Sequence, residues 1–265
     1  MKTTSLQGQI KNFFMSAALI LGFLFSITSN AQTLPAGIKN IVLVHGAFAD
    51  GSSYQNLFKE LVRKGYKVTI VQNPLTSLED DVAATNLALD KQDGPTILVG
   101  HSWGGVVITE AGNHTKVAAL VYIDAYQPDK GQSALDMAMM APPAPENGVL
   151  HPDEKGIVYY DEAKFHAGFC ADLSKDEAAF MYATQGALHV KAFVTPVTNA
   201  AWKNKPTYGI IATEDKSIDP ESLRISYKKS NTEITEIKGG SHVVFISQPS
   251  KVAAVIIKAA KNTSK

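Results

Sequence analysis

The 265-residue chain has a single cysteine, Cys170, and no excess charge of either sign, with 25 Lys plus Arg against 25 Asp plus Glu. One thiol excludes an internal disulfide, so a packed core has to supply the stability. The balanced charge gives no electrostatic reason to expect nucleic acid as a partner. The sequence also lacks metal-binding His and Cys spacings and the glycine patterns of nucleotide-binding loops, so we expect neither a metal nor a cofactor.

The sequence has little continuous hydrophobicity outside its N-terminus. The apolar run at 13–27 is preceded by Lys2 and Lys11 and is followed by Ser29-Asn30-Ala31. This run is too short for a comfortable membrane span, and its flanks are typical of a secretory signal peptide. We therefore predict a signal peptide at 1–31, export of the protein to the periplasm or medium after cleavage near Ala31, and no membrane partner thereafter. An uncleaved anchor is the alternative.

The rest of the chain alternates between short β-branched runs and segments with helical periodicity. The predicted strands are 38–44, 66–71, 96–100 and 117–123, and the predicted helices between them are 53–64, 78–89 and 104–112. Such alternation indicates right-handed crossovers and a parallel sheet with helices on both faces.

The alternation stops between 126 and 203, a proline-containing stretch without a convincing buried strand but with a helical piece at 175–184. It resumes with strands at 208–213 and 233–237 and helices at 220–230 and 249–260. We predict an α/β fold: a three-layer sandwich with a mostly parallel sheet of about six strands. A core at 32–125 and 204–265 is interrupted by a mainly helical cap at 126–203, placed at the carboxyl edge of the sheet, where ligands bind in such folds.

One turn of the predicted core carries a serine between glycines. Gly100-His101-Ser102-Trp103-Gly104 fits the pattern G-x-S-x-G directly after a strand and directly before a helix, which is the context of a nucleophile elbow. A strained backbone at Ser102 would expose its Oγ, and a side chain at either glycine would collide with the neighbouring strand or helix. The pattern predicts Ser102 as a nucleophile.

A serine nucleophile needs a base and an acid that orients the base. His242 follows the last predicted strand on a glycine-rich loop, and Asp215 follows the strand at 208–213. The expected chain order of serine, acid and histidine is met. Asp124, at the end of the strand 117–123, stays open as the alternative acid, whereas Glu214 is expected to point away from the site.

The oxyanion of the intermediate needs two backbone donors. The first is expected from Trp103 and the second from the loop 45–48, at Ala47 or alternatively at Phe48. We interpret His45 as a support of this loop rather than as a base.

Apolar residues of the predicted cap are candidates for a substrate pocket above Trp103. The candidates are Phe48 of the loop 45–48 and, from the cap, Met137, Met140, Phe169 and Met181, together with Leu135, Met139, Phe165 and Phe180. Methionine-rich linings adapt to several ligands. The alternative is that most of these residues form the core of the cap itself.

Four segments together resemble the α/β-hydrolases: VLVHGAFADGSSY at 42–54, LVGHSWGG at 98–105, IIATEDKSIDP at 210–220 and GGSHVVFISQP at 239–249. Within that superfamily the chain is similar to small bacterial serine esterases and to the plant methyl esterase and hydroxynitrile lyase group. The resemblance implies Ser102, Asp215 and His242 as the catalytic triad, with Ala47 and Trp103 as oxyanion donors. It also implies a core without the first antiparallel strands of larger members.

Departures from subgroup patterns narrow the expected reaction. Haloalkane dehalogenases and epoxide hydrolases use an aspartate nucleophile, and the lyases of the plant group carry threonine and lysine where this chain has Gly46 and Val243. The resemblance therefore implies a cofactor-free serine hydrolase that cleaves small to medium-sized carboxylic esters through an acyl-enzyme, with a small-molecule ester as its partner. The alternatives are a ligand-binding protein with little turnover, and a lyase or cofactor-free perhydrolase using the same triad.

Overall fold

A six-stranded parallel sheet runs through the part of the chain that the computed structural model describes, residues 37–263. Its strands, in the spatial order β2-β1-β3-β4-β7-β8 and with numbering along the chain, are β1 Asn40–Val44, β2 Lys67–Val71, β3 Thr96–His101, β4 Val117–Ile123, β7 Thr207–Ala212 and β8 Glu233–Ile237. Every neighbouring pair is parallel, which confirms the predicted fold class. The predicted signal peptide at 1–31 lies outside the described residues.

The burial of the strands follows their sequences. Central strands β1, β3 and β7 are buried at every residue, as expected for apolar runs covered on both faces. The edge strands β2 and β8 are largely accessible and carry charged residues. Val44 of β1 lies opposite Gly100 of β3, so the carboxyl ends of the strands meet at one edge of the sheet.

Helices of about two to four turns cover both faces, and side chains cap the starts of two of them. They are α1 Gln55–Arg63, α2 Leu78–Asp90, α3 Gly104–Ala111, α8 Pro220–Lys229 and α10 Pro249–Asn262, and the single turn α9 Val244–Ser247 precedes α10. The side chain of Ser77 accepts from the N–H of Asp80 at the start of α2, and that of Asp219 accepts from the N–H of Ser222 at the start of α8. A 3-10 turn at Gly51–Tyr54 precedes α1, so the first regular helix begins two residues later than predicted.

Residues 124–206 connect β4 to β7, which are neighbours in the sheet. We call these residues the insertion. Its elements are α4 Ala134–Ala138, β5 Ile157–Val158, α5 Glu162–Phe169, α6 Lys175–Ala183, β6 Leu188–His189 and α7 Val190–Val194. Strands β5 and β6 form a small antiparallel pair that the sequence did not predict, because two residues are too few to produce an alternating pattern. The division into a core and a separate cap domain at 126–203 stays a prediction.

Cys170 is free and fully buried within the insertion. Burial raises the pKa of its thiol to about 12, so the thiolate needed for nucleophilic chemistry is scarce at neutral pH. Between residues 37 and 263, no helix has the length and apolar character needed to cross a bilayer.

Candidate active site

The turn between β3 and α3 holds Ser102 in the left-handed region, with φ of 53°. A Cβ added at Gly100 would overlap the carbonyl oxygen of Gly104, and a Cβ added at Gly104 would overlap that of Val44 at the end of β1. Both glycines are therefore required by close backbone approach. The strained turn aims the serine at the carboxyl edge of the sheet and at the N-terminus of α3.

His242 and Asp215 meet Ser102 at this edge. His242 Nε2 lies 2.8 Å from Ser102 Oγ, and His242 Nδ1 lies 2.7 Å from Asp215 Oδ2. Because a carboxylate can only accept, the Nδ1–H of His242 donates to Asp215, which leaves Nε2 free to accept from the serine hydroxyl. The other carboxylate oxygen of Asp215 accepts from the N–H groups of Ser217 at 2.7 Å and Ile218 at 3.0 Å.

The alternative acid, Asp124, faces another partner. Its Oδ1 accepts from the N–H of Ala212 at 2.5 Å, and its Oδ2 has no partner among the described residues. Complete burial, reinforced by the nearby Asp215, raises the pKa of Asp124 well above its usual range, which favours the neutral acid. Glu214 is exposed. Asp215 is thus the carboxylate that the fold brings to His242.

His45 braces the loop after β1. Its Nδ1–H donates to the carbonyl of Gly46 at 2.8 Å, and its Nε2 accepts from the N–H of Asn73 at 2.9 Å. Burial lowers the pKa of His45, consistent with a neutral ring that uses both nitrogens for structure. The ring therefore supports the loop, as the sequence predicted.

His101 contacts the main chain and the ring of His242. Its Nε2–H donates to the main-chain oxygen of His242 at 2.9 Å, and the two rings lie 4.6 Å apart. Burial holds the pKa of His101 well below its usual range, which favours the neutral ring.

Three backbone N–H groups beside Ser102 are not engaged. The N–H groups of Ala47, Phe48 and Trp103 donate to no acceptor within residues 37–263, and all three residues line the cavity that contains Ser102. They are available to an oxygen atom bound there. The alternatives Ala47 and Phe48 for the second donor both fit this arrangement.

A buried carboxylate also holds Trp103, the residue after Ser102. The indole Nε1–H of Trp103 donates to Asp81 Oδ2 at 2.7 Å, and Asp81 Oδ1 accepts from the N–H of Leu75 at 2.7 Å. Burial raises the pKa of Asp81 to about 6. Sequence reasoning missed Asp81, because a contact between α2 and the elbow leaves no local pattern.

The cavity at Ser102 is narrow, with about 70 Å³ of free space, far below the roughly 300–1,000 Å³ of pockets for drug-sized ligands. The predicted residues Phe48, Phe169 and Trp103 line it. The sequence did not predict the remaining lining residues: Tyr126, Val149, Val158, Tyr160, Leu188, Phe193, Ser217 and Ile218. Ser217 and Ile218 could have been found, because they follow Asp215 in the same loop.

The methionines assigned to this pocket lie elsewhere, which corrects that part of the prediction. Met137 and Met140 border a separate small cavity beside Trp202, and Met181 borders a surface groove beside Phe180. Helical spacing identifies a shared face but not the element that the face meets, and Met137 on α4 and Met181 on α6 border other cavities than the one at Ser102. The additional candidates are not residues of one shared pocket either. Leu135, Met139 and Phe180 are exposed, and Phe165 is buried in the insertion.

The histidines and carboxylates of the site form no metal centre. Within the described part of the chain, no group of three His, Cys, Asp or Glu side chains is arranged to hold a metal ion.

Comparison with known proteins gives one family and several relatives. Residues 41–255 match the model described as the alpha/beta hydrolase family. A carbendazim-hydrolyzing esterase from Nocardioides sp. is 30% identical to this chain in the matched region, which covers 39% of this chain and 49% of the esterase. Salicylic acid-binding protein 2 of Nicotiana tabacum is 27% identical over 84% of this chain and 97% of its own. The crystal structure of a pyrethroid hydrolase superposes with a TM-score of 0.74, at 22% identity, over 83% of this chain and 96% of that one.

Proposed function

Because the chain belongs to the α/β-hydrolase family, we propose that it is a serine hydrolase that cleaves small to medium-sized carboxylic esters through an acyl-enzyme. The observation that carries this proposal is the continuous hydrogen-bonded chain from Asp215 through His242 to Ser102 at the elbow. In this proposal Ser102 is the nucleophile, His242 the general base and acid, and Asp215 the group that orients the imidazole.

The reaction then has two halves. His242 Nε2 takes the proton of Ser102 as Oγ attacks the acyl carbonyl, and the N–H groups of Trp103 and Ala47, or alternatively Phe48, stabilise the oxyanion. The imidazolium, hydrogen-bonded to Asp215, returns the proton to the leaving alcohol. A water molecule, deprotonated by the same imidazole, then releases the acid from Ser102.

The cavity supports the substrate class. Its walls are mainly aromatic and aliphatic, and its free space of about 70 Å³ suits a short or flat apolar group beside Ser102 better than a bulky one. The named activities of two relatives, a carbendazim-hydrolyzing esterase and a pyrethroid hydrolase, also favour hydrolysis.

A series of p-nitrophenyl esters of increasing acyl length tests this proposal. We expect hydrolysis by the wild type to be fastest with short chains, and Ser102→Ala to lose about 10⁶-fold in kcat. Ser250→Ala, at an exposed position on α10, is the matched control and should keep wild-type activity.

The same assay separates the alternatives. Activity retained by Ser102→Ala would overturn the assignment of the nucleophile. Absence of hydrolysis across the series, with tight binding of an ester, would favour a ligand-binding protein, and faster cyanohydrin cleavage or peracid formation than ester hydrolysis would favour the lyase or perhydrolase.

A further inference from the structure

One carboxylate of the insertion, that of Asp172, is bonded to the loop that carries His242. It accepts hydrogen bonds from the N–H of Ser241 at 3.0 Å, from the hydroxyl of Ser241, and from the hydroxyl of Ser247 at 2.6 Å. Ser241 directly precedes His242, and Ser247 ends the short helix α9 that follows it. Asp172 is therefore attached to the chain on both sides of the histidine.

The same short segment of the insertion, 168–172, reaches the other parts of the site. The ring of Phe169 lines the cavity and lies edge-to-face against the imidazole of His242, with ring centres 5.1 Å apart. The carbonyl of Gly168 accepts from the hydroxyl of Ser217 at 2.8 Å, two residues beyond Asp215. One segment thus contacts the loop of the base, the loop of the acid and the wall of the cavity.

The loop of His242 is bonded to the neighbouring loop 213–214 only near its start, where the N–H of Gly239 donates to Thr213 Oγ1 at 3.1 Å and the carbonyl of Gly240 accepts from the N–H of Glu214 at 3.0 Å. It begins with Gly239-Gly240, and Gly239 adopts a φ of 69° with open space around the position of a Cβ, a conformation that glycine populates freely. Beyond the glycines, His101 holds the main chain of His242 from the core side. Asp172 supplies the opposing hydrogen bonds from the insertion.

We propose that Asp172 is a positioning residue for His242, and that alignment of the imidazole with Ser102 depends on this contact between the insertion and the core. The inference rests on the proposed function, in which His242 is the base. Asp172 acts through the loop, since its hydrogen bonds go to Ser241 and Ser247.

Asp172→Asn tests the inference, with Asp176→Asn, at an exposed position four residues further along, as the control. Displacement of catalytic groups by about 1 Å can cost roughly 10²-fold in rate. We expect kcat for p-nitrophenyl acetate to fall roughly 10- to 100-fold in Asp172→Asn, with KM within about twofold of wild type. Phosphonylation of Ser102 by a fluorophosphonate should slow by the same factor, because that reaction also needs the base.

A second variant covers the case in which Asp172→Asn does not fold. Ser247→Ala removes one of the three donors, and we expect a smaller loss that again falls on kcat and leaves KM and the thermal unfolding midpoint unchanged. Wild-type kcat in the folded variant, or an equal loss in Asp176→Asn, would overturn the positioning role. Activity retained by Ser102→Ala in the same assay would instead overturn the proposed function, on which the inference rests.

Discussion

Two neighbouring strands, β4 and β7, are each followed within three residues by a buried aspartate, and the two carboxyl groups have different partners. Asp215 follows β7 and receives three donors, the imidazole of His242 and two backbone N–H groups. Asp124 follows β4 and receives one N–H, leaving an oxygen unpartnered. Both carboxyl groups are buried and both follow a strand. They differ in the number of hydrogen-bond donors around them, and this difference separates the group that contacts His242 from the one that does not.

The proximity of the two groups accounts for the contrast. Two carboxylates in one poorly solvated site repel each other, so one of them is favoured as the neutral acid. Burial and the charge of Asp215 raise the pKa of Asp124 well above its usual range. A neutral Asp124 bound to the N–H of Ala212 therefore fastens the ends of β4 and β7 to each other.

The largest expected difference is in activity. Replacing the acid of a serine triad by its amide typically lowers kcat about 10⁴-fold, because the imidazole is then held in the wrong tautomer. We expect a loss of this size in Asp215→Asn and a change within about tenfold in Asp124→Asn, measured as kcat for p-nitrophenyl acetate. Equal losses of kcat in the two variants would contradict the different roles expected for Asp215 and Asp124.

The next effect is on stability and depends on pH. The pKa of Asp124 is raised in the folded protein. At pH values between the ordinary pKa of 3.8 and that higher pKa, Asp124 is therefore deprotonated in the unfolded chain and still protonated in the folded protein. Stability contributed by the protonated group is complete below 3.8 and is lost as the pH rises. The free energy of unfolding of wild type minus that of Asp124→Asn should thus fall as the pH rises above 3.8, with a slope of at most about 1.4 kcal/mol per pH unit.

Urea unfolding of both proteins between about pH 5 and pH 7 measures this difference directly. Groups that do not interact with Asp124 cancel in the subtraction, and any fixed cost of the asparagine shifts the line without changing its slope. A difference that stays constant with pH would mean that Asp124 is ionised in the folded protein, like an ordinary carboxylate.

A smaller effect concerns apolar residues of the insertion and tests whether lining the cavity at Ser102 determines which of them affect activity. Phe193 lines the cavity at Ser102, whereas Met140 borders a different cavity. We expect Phe193→Ala to lower kcat/KM for p-nitrophenyl butyrate roughly tenfold, the scale of lost apolar contacts in a substrate site. Met140→Ala should remain within about twofold, and the reverse order would restore the methionine pocket that the sequence predicted.

The sheet and its helices could be predicted because the pattern that identifies them is local. Buried strands such as β1 and β3 are continuous apolar runs, and the glycines at 100 and 104 mark a turn whose geometry admits no side chain. The choice between Asp215 and Asp124 could not be made from the residues alone. Both follow a strand at the same edge of the sheet, and only the path of the loop of His242 separates them.

The insertion was the least predictable region, since its elements are short and its contacts are distant in sequence. Asp172 of the insertion lies 69 residues from Ser241, and outside the insertion Asp81 lies 22 residues from Trp103. Neither separation produces a periodic signal. The misplaced methionines have the same cause, because one helical turn can present its apolar side to any neighbour.

Covalent labelling tests the central claim most directly, namely that His242 and Asp215 make the hydroxyl of Ser102 a nucleophile. The wild type would be treated with a fluorophosphonate and the adduct located by peptide mass spectrometry, with His242→Ala and Ser102→Ala as references. We predict one adduct, on Ser102, that is absent in Ser102→Ala and forms far more slowly in His242→Ala. An adduct on another residue, or labelling of Ser102 at an unchanged rate without the imidazole, would contradict the account.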